Sequence, residues 1–171
     1  EIPRSLQQLF NEVCGLDASF DLPEQAVAIA TVSHQHIYGL LFKLLWPLAS
    51  GRSFYQKQLA FPEDVVDLQK KIAHVQLPNY VISSPALLKR WTTDVVLQDC
   101  HRVYSSGGKL DAGVRPLLNC PITEVFGSSE TGGIAHGAAV QQARRVRRLA
   151  QFPDRFRRGA LCGRRLSRAP R

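Results

Sequence analysis

Residues 122–134 read ITEVFGSSETGGI, a short apolar run that passes into a polar, glycine-rich loop. The β-branched and aromatic residues from Ile122 to Phe126 are typical of a buried strand. The loop offers hydroxyls for phosphate oxygens, glycines that let a ligand approach the backbone, and in Glu130 a hard ligand for Mg²⁺. Because open α/β sheets bind ligands at the carboxyl ends of their strands, this loop is a candidate binding site. The alternative interpretation is a plain glycine-rich turn capped by Ser and Thr.

A second segment upstream repeats the same design. Residues 103–109, VYSSGGK, form a short apolar run that ends in two serines followed by Gly107, Gly108 and Lys109. Two strand-to-glycine loops within about 25 residues predict neighbouring strand ends that face one pocket. Alternatively, Gly107 and Gly108 form a tight turn that binds nothing.

The chain up to about residue 136 alternates between strand-like and helix-like patterns. Helices are predicted over 5–16, 36–48, 63–74, 86–91 and 111–118. Strands are predicted over 26–32, 51–55, 80–83, 103–105 and 122–126, with 122–126 as the last strand. The alternation predicts an α/β fold with a largely parallel sheet and helices on both of its faces.

Residues 126–130, FGSSE, resemble the Tyr-Gly-x-Thr-Glu motif of the adenylate-forming enzymes, which include acyl- and aryl-CoA synthetases, peptide-synthetase adenylation domains and luciferases. Residues 106–108 are similar to that family's Ser-Gly-Gly segment, and residues 36–39, HIYG, to its His-x-x-Gly segment. Residues 81–88, VISSPALL, look like the strand and helix between these two. The order fits over roughly residues 1–136 and implies part of the large N-terminal domain of an acyl- or aryl-activating ligase.

The resemblance implies a nucleotide site for ATP and AMP. Phe126 stands where the family has tyrosine and would stack on adenine, because the ring face provides the contact. Ser129 stands where the family has threonine, whose hydroxyl contacts the AMP phosphate. The residues implied for the nucleotide are Gly107, Gly108, Lys109, Phe126, Gly127, Ser128 and Ser129.

The resemblance also implies the chemistry. Ser129 and Glu130 would be the catalytic residues, with Glu130 helping to hold Mg²⁺, and His36 and Gly39 would lie at the mouth of the acyl or aryl pocket. A carboxylate would attack the α-phosphate of ATP, pyrophosphate would leave, and the acyl-adenylate would pass its acyl group to the thiol of CoA or an acyl carrier protein. Mg²⁺ and cationic groups would neutralise charge in the transition state.

Several of the family's parts are missing from this sequence. The Ser/Thr/Gly-rich phosphate loop ending in Pro-Lys, which the family has ahead of a segment like residues 1–4, is not found in this sequence, nor is a Thr-Gly-Asp for the ribose or a lysine after Glu130. The family's small C-terminal domain carries its catalytic lysine. We therefore expect a fragment, with a partial adenylation domain over 1–136, that does not catalyse adenylation by itself.

The composition changes near residue 136. Residues 1–136 contain 11 Lys and Arg against 13 Asp and Glu, whereas residues 137–171 contain 11 Arg, no Lys and one acid, Asp154. Arginine mixed with Ala, Gly and Pro is what GC-rich coding DNA gives when translated out of frame, so we hypothesise a frameshift and an irregular, disordered tail over 137–171. The alternative is a basic tail that binds nucleic acid, at least incidentally, through phosphate contacts. For the whole chain, the alternative to a ligase fragment is a non-catalytic protein that binds a nucleotide through the glycine loops or nucleic acid through the tail.

Other classes of site and location find little support. Cys14, Cys100, Cys120 and Cys162 show no paired spacing, which predicts neither a disulfide framework nor a zinc site. His34 and His36 could ligate a metal together, but no third ligand is apparent, and solvent-facing histidines are the alternative. No apolar run is long enough for a membrane span, and no signal peptide is seen, so a reducing cytoplasm is the expected location.

Overall fold

A six-stranded sheet, with its strands in sequence order, organises the molecule. The computed structural model describes residues 3–128, 132–138 and 146–148. The strands are β1 (Val27–Ala30), β2 (Asn79–Ser83), β3 (Cys100–Ser106), β4 (Ile122–Ser128), β5 (Gly132–Ala138) and β6 (Val146–Arg148). The pairs from β1 to β4 are parallel, whereas β5 and β6 add to the edge as antiparallel strands. The predicted α/β fold with a largely parallel sheet is confirmed.

Two predictions about the strands are wrong. The run 122–126 is not the last strand, because β5 and β6 follow it. The predicted strand 51–55 is reduced to a single bridge between Phe54 and Ala28, although Ser53 and Tyr55 hydrogen bond to the backbone of β1. β5 also crosses residue 136; nearly all of 137–171 lies outside the described residues, so the boundary near 136 stays a prediction.

One helix precedes the sheet, and the others lie in the connections between the parallel strands. They are α1 (Leu6–Ser19), α2 (Ile37–Gly39), a π-helix (Leu40–Leu45), α3 (Trp46–Ser50), α4 (Pro62–Ala73), α5 (Pro85–Leu88) and a 3₁₀ helix (Arg115–Leu118). Ser5 and Gln8 form a capping box that starts α1. The predicted helix 111–118 is wrong in its first half, because the Asp111 carboxylate accepts from the Gly113 amide and makes a turn there.

Apolar side chains alternate between the two faces of the sheet. One face packs against α4 and α5, and its core includes Val81 and Val103. The other face packs against α1, the π-helix and α3, and its core includes Tyr80 and Tyr104. We call these the α4 face and the α1 face. Helices therefore cover both faces of the parallel strands, as the alternation of the sequence predicts.

An aromatic cluster fills the α1 face. Its rings lie 4.9–6.2 Å apart between centroids, with mostly tilted or edge contacts that suit the ring quadrupoles. The rings are those of Phe20, Tyr38, Phe42, Trp46, Tyr80 and Tyr104. Beneath them lie only alanines of β1 and of the residue before it, since Ala26, Ala28 and Ala30 are fully buried on this face. The small side chains leave room for the bulky rings.

The start of α2 depends on a close backbone contact at Gly39. A Cβ atom at this position would lie 2.1 Å from the Ser33 carbonyl oxygen, which is backbone and cannot rotate away. Ser33 begins the turn that leads from β1 into the helix, and its carbonyl accepts from the His36 amide at 3.5 Å. Glycine is therefore required here for space.

Among the described residues, no helix is long and apolar enough to cross a membrane.

We expect Gly39→Ala to lower the free energy of unfolding by about 1–3 kcal/mol, because the added methyl group forces the turn and the helix apart. Urea unfolding followed by circular dichroism measures this. The matched control is Gly113→Ala, where the added atom would meet only Asp111 Oδ1 at 3.4 Å, so a change within about 0.5 kcal/mol is expected. Equal destabilisation by both substitutions would contradict the assigned contact.

Candidate functional site

The carboxyl ends of β3 and β4 lie side by side. Their register runs from Val103 opposite Ile122 to Ser106 opposite Val125. The Ser106 hydroxyl donates a hydrogen bond of 2.8 Å to the Val125 carbonyl oxygen and fastens the two ends together. The two glycine-bearing segments of the sequence are therefore neighbours in space, as predicted for strand ends that share an edge.

A cavity of about 50 Å³ opens between these strand ends and the helix that follows β1. The helix contributes apolar side chains, and the strand ends contribute hydroxyl and backbone groups. The lining residues are Ile37, Tyr38, Leu41, Phe42, Ser106, Val125, Gly127 and Ser128. An apolar wall facing a few polar groups is the usual composition of a small-molecule site.

The loop after β3 takes a conformation that glycine favours. Gly107 has φ +96° and Gly108 has φ +157°, and both are exposed together with Lys109. A Cβ atom at Gly107 would meet no atom within 4 Å, so the backbone angle, and not crowding, calls for glycine there. The loop thus leaves its backbone open to a ligand.

Glu124 holds this loop from the neighbouring strand. Its Oε2 atom accepts from the Leu110 amide at 3.0 Å, and its Oε1 atom forms an ion pair with Arg115. The carboxylate is buried, and charge-assisted hydrogen bonds of this kind are stronger than neutral ones. Glu124 therefore fixes both ends of the segment between the glycine loop and the 3₁₀ helix. Sequence reasoning missed it; the signal was a charged residue inside an apolar strand.

Buried polar side chains form a row across the α4 face, at the carboxyl ends of the four parallel strands. Thr31, Ser83, Ser105 and Glu124 occupy neighbouring register positions and are all buried. The Thr31 hydroxyl donates to Ser83 Oγ at 2.8 Å. Among the described residues, the Ser105 hydroxyl has no hydrogen-bond partner. The strand ends are thus polar on this face as well as in the cavity.

Tyr38 is a second residue that sequence reasoning missed. It lies inside the HIYG segment, between the two residues singled out there, and its ring lines the cavity. Its hydroxyl is buried near the Ser83 backbone and has no partner of hydrogen-bond geometry in the described part of the chain. Burial raises the pKa of Tyr38 well above its ordinary value, and the neighbouring Tyr104 adds to this rise. Tyr38 therefore offers a neutral donor.

The structure places the residues singled out in the sequence as follows. Phe126 directly follows the buried part of β4, which ends at Val125, and is 44% exposed, so its ring is accessible. Gly127 and Ser128 line the cavity, whereas Phe126 is not among the lining residues. Ser129 and Glu130 fall outside the described residues, between the antiparallel strands β4 and β5.

His36 and Gly39, predicted to lie at the mouth of the acyl or aryl pocket, differ in their surroundings. His36 is the N-terminal capping residue of α2 and is exposed, without a side-chain hydrogen bond to the helix. Gly39 is buried against the preceding turn, and the residues that line the cavity are its neighbours. His34 is also exposed, and no group of three or more His, Cys, Asp or Glu side chains suited to a metal occurs within the described ranges.

Comparison with known proteins finds matches among solved structures only; no family model and no curated protein matches the chain. The anthranilate CoA ligase AuaEII, solved with anthranoyl-AMP, is similar with a TM-score of 0.63 and 13% identity, over 84% of this chain and 29% of that chain. The O-succinylbenzoate coenzyme A synthetase MenE of Bacillus subtilis, solved with AMP, gives 0.62 and 14%, over 80% and 29%. The N-terminal domain of FACL13 from Mycobacterium tuberculosis gives 0.61 and 12%, over 77% and 35%.

These likenesses establish the fold. The described part of the chain has the α/β fold found in the N-terminal domains of adenylate-forming acyl- and aryl-CoA synthetases, as the resemblance of its motifs implies. The chain spans about a third or less of the length of these structures, at 29%, 29% and 35%. The likeness therefore concerns the fold and does not establish activity, substrates or partners.

We expect Glu124→Gln to loosen the loop after β3, because glutamine keeps an acceptor for Leu110 but loses the charge that holds Arg115. A loss of about 1–3 kcal/mol in the free energy of unfolding is expected. Amide hydrogen exchange of residues 107–115 should accelerate more than that of β1 and β2. The control is Asp67→Asn, which removes an exposed ion pair with Lys70 and should change stability by less than about 0.5 kcal/mol. Unchanged exchange in 107–115 would refute the anchoring role.

Proposed function

We propose that this chain is part of an AMP-forming acid–thiol ligase and that it binds the nucleotide at the carboxyl ends of β3 and β4. The observation that carries the proposal is the shared cavity of Ser106, Gly127 and Ser128. The ring of Phe126, which precedes Gly127 in β4, is exposed. Two segments separated in sequence by some 20 residues meet there through parallel pairing. AuaEII and MenE, which share this fold, were solved with anthranoyl-AMP and AMP.

In this proposal the adenine stacks on the accessible face of Phe126. The backbone of Gly107 and Gly108, open and held by Glu124 through Leu110, lines the other side of the base with Lys109. The Ser128 hydroxyl and, from its place in the motif, that of Ser129 would contact the phosphate. Phe126 lacks the hydroxyl of the family's tyrosine, but stacking does not need it, because the face of the ring makes the contact with the π-face of the base.

The acyl or aryl group of the acid lies against the helix side of the cavity. Ile37, Leu41 and Phe42 give an apolar wall to which Tyr38 adds, while the Tyr38 hydroxyl is buried. His36 stands at the mouth of this pocket on the exposed end of α2. The acid carboxylate then meets the α-phosphate, pyrophosphate leaves, and the resulting adenylate gives its acyl group to a thiol of CoA or a carrier protein. Positioning of the two reactants is the contribution that these strand ends make.

The described residues contain no ready cluster of metal ligands. No cluster of three suitable ligands occurs among them, and the Glu124 carboxylate is already bound to the Leu110 amide and to Arg115. The assignment of Mg²⁺ to Glu130 therefore remains a proposal from the sequence, and the positioning roles above do not depend on it.

We expect Phe126→Ala to weaken AMP binding about tenfold or more, because loss of a stacked ring costs roughly 1–3 kcal/mol. Isothermal titration calorimetry of the full chain measures the affinity. Phe10→Ala is the matched control, since Phe10 on α1 is 45% exposed against 44% for Phe126; its affinity should stay within about twofold of the parent chain. Two outcomes would contradict the proposal: no binding of AMP, or equal binding of AMP by both variants. If nucleic acid also binds the parent chain, either outcome favours the basic-tail alternative.

We expect no pyrophosphate exchange by the chain as given, even where AMP binds. The Pro-Lys phosphate loop, the Thr-Gly-Asp segment and any lysine after Glu130 are missing from its sequence, and charge neutralisation in the transition state depends on such groups. The assay uses labelled pyrophosphate, ATP and a panel of aliphatic and aromatic carboxylic acids, with a complete acyl-CoA synthetase as positive control. Exchange above background with any acid would overturn this expectation.

A further inference from the structure

Two cysteines that are distant in sequence face the same side of the sheet. Cys100 begins β3 and Cys120 lies two residues before β4, and both pack against the core of the α4 face. The β2–β3 register passes from Asn79 opposite Cys100 to Tyr80 opposite Arg102, so β3 holds one extra residue, His101. Because an extra residue reverses the alternation of a strand, Cys100 turns to the same face as Val103 and Cys120.

The two side chains lie within reach of each other. The Cys120 thiol donates to the Cys100 carbonyl oxygen at 3.1 Å, and the Cys100 thiol donates to the Arg102 carbonyl oxygen at 3.5 Å. Val103 pairs with Ile122, and strands pair at 4.7–4.9 Å, so an offset of about one residue puts the two Cα atoms roughly 6 Å apart. Disulfides span Cα distances of about 4.4–6.8 Å.

The two thiols have different reactivity. Hydrogen bonding with Cys100 lowers the pKa of Cys120, against the effect of partial burial, and the charge of Arg102 lowers it further. The same contact, together with burial, raises the pKa of Cys100 well above its ordinary value. Since the thiolate is the nucleophile, Cys120 reacts first and Cys100 second. Neither cysteine forms a disulfide, and both residues are half-buried.

We propose that Cys100 and Cys120 form a dithiol modification site that low-molecular-weight disulfides oxidise to an intramolecular bond between β3 and β4. The Cys120 thiolate attacks one sulfur of the small disulfide, whose S–S bond breaks and releases one thiolate that takes a proton from water. Cys100 then loses its proton and attacks Cys120 Sγ, which releases the second small thiolate. Two protein thiols are oxidised and one small disulfide is reduced to two thiols.

The disulfide would close a covalent ring that contains the loop after β3. Residues 101–119 lie between the two sulfurs in the chain and include Gly107 and Gly108. The sulfurs themselves lie at the amino ends of β3 and β4, at the opposite edge of the sheet from the cavity. Oxidation would therefore restrict the mobility of the loop without placing a group in the cavity.

The test treats the full, reduced chain with oxidised glutathione, blocks remaining thiols with iodoacetamide, and maps tryptic peptides by mass spectrometry. The four cysteines fall in separate peptides, 5–43, 91–102, 110–144 and 159–164, because Pro116 prevents cleavage after Arg115. We expect a cross-linked pair of 91–102 with 110–144, and alkylated Cys14. Glutathione retained on Cys120 without a cross-link, or cross-links that involve Cys14 or Cys162 equally, would overturn the proposal.

Single substitutions test the order of reaction. Cys100→Ser should trap glutathione on Cys120, because no second thiol can release it. Cys120→Ser should slow modification of Cys100 by about tenfold or more, because the remaining thiol is more buried and less ionised. Cys14→Ser is the matched control and should leave the cross-link unchanged. Modification of Cys100 at the parental rate in Cys120→Ser would refute the assigned order, and the parent-chain result stands even if a variant folds poorly.

Discussion

The parallel pairing of β3 with β4 is the constraint on which the candidate site depends. It brings Ser106 opposite Val125, so that the loops following both strands open at one edge of the sheet. A slip of one residue would turn every side chain of β4 to the other face. Glu124 would then leave Leu110 and Arg115, and Val125 would leave the cavity. Fold and site are therefore specified by the same register, and the buried Glu124 carboxylate penalises any alternative because its charge would lose its partners.

The helix side of the site depends on small residues more than on hydrogen bonds. Three alanines of the β1 segment lie beneath the aromatic cluster, and Gly39 lets the helix approach the preceding turn. Larger side chains at these points would lift the helix from the sheet and with it Tyr38 and Phe42, which line the cavity. The π-helix follows directly and includes Phe42, and such widened turns are often found at functional sites. Packing of this kind places an apolar wall against the strand ends, and the Tyr80 hydroxyl adds a hydrogen bond of 3.5 Å to the Phe42 carbonyl oxygen.

The sequence predicts the parts of this arrangement that depend on local pattern. Alternation of strand and helix signals gives the parallel sheet, and the two glycine segments give the edge at which a ligand would bind. Features that depend on pairing across the sheet are not predictable in this way. Glu124 finds its partners 9 and 14 residues upstream, at Arg115 and Leu110, through a turn and a 3₁₀ helix that periodicity does not reveal. β5, with the sequence GGIAHGA, carries little intrinsic strand propensity, and its pairing with β4 decides its structure.

The two ends of β3 and β4 carry different chemistry for a related reason. At the carboxyl ends, Ser106, Gly127 and Ser128 meet an apolar wall around a cavity; at the amino ends, the extra residue His101 brings two thiols to one face. The proximity of the two thiols cannot be predicted from sequence spacing. Cys100 and Cys120 lie 20 residues apart, and the extra residue makes Cys100 depart from the alternation of its strand. Both ends nevertheless depend on one register. A covalent link at the amino edge would hold that register in place, and the cavity at the carboxyl edge would keep its shape without being occupied.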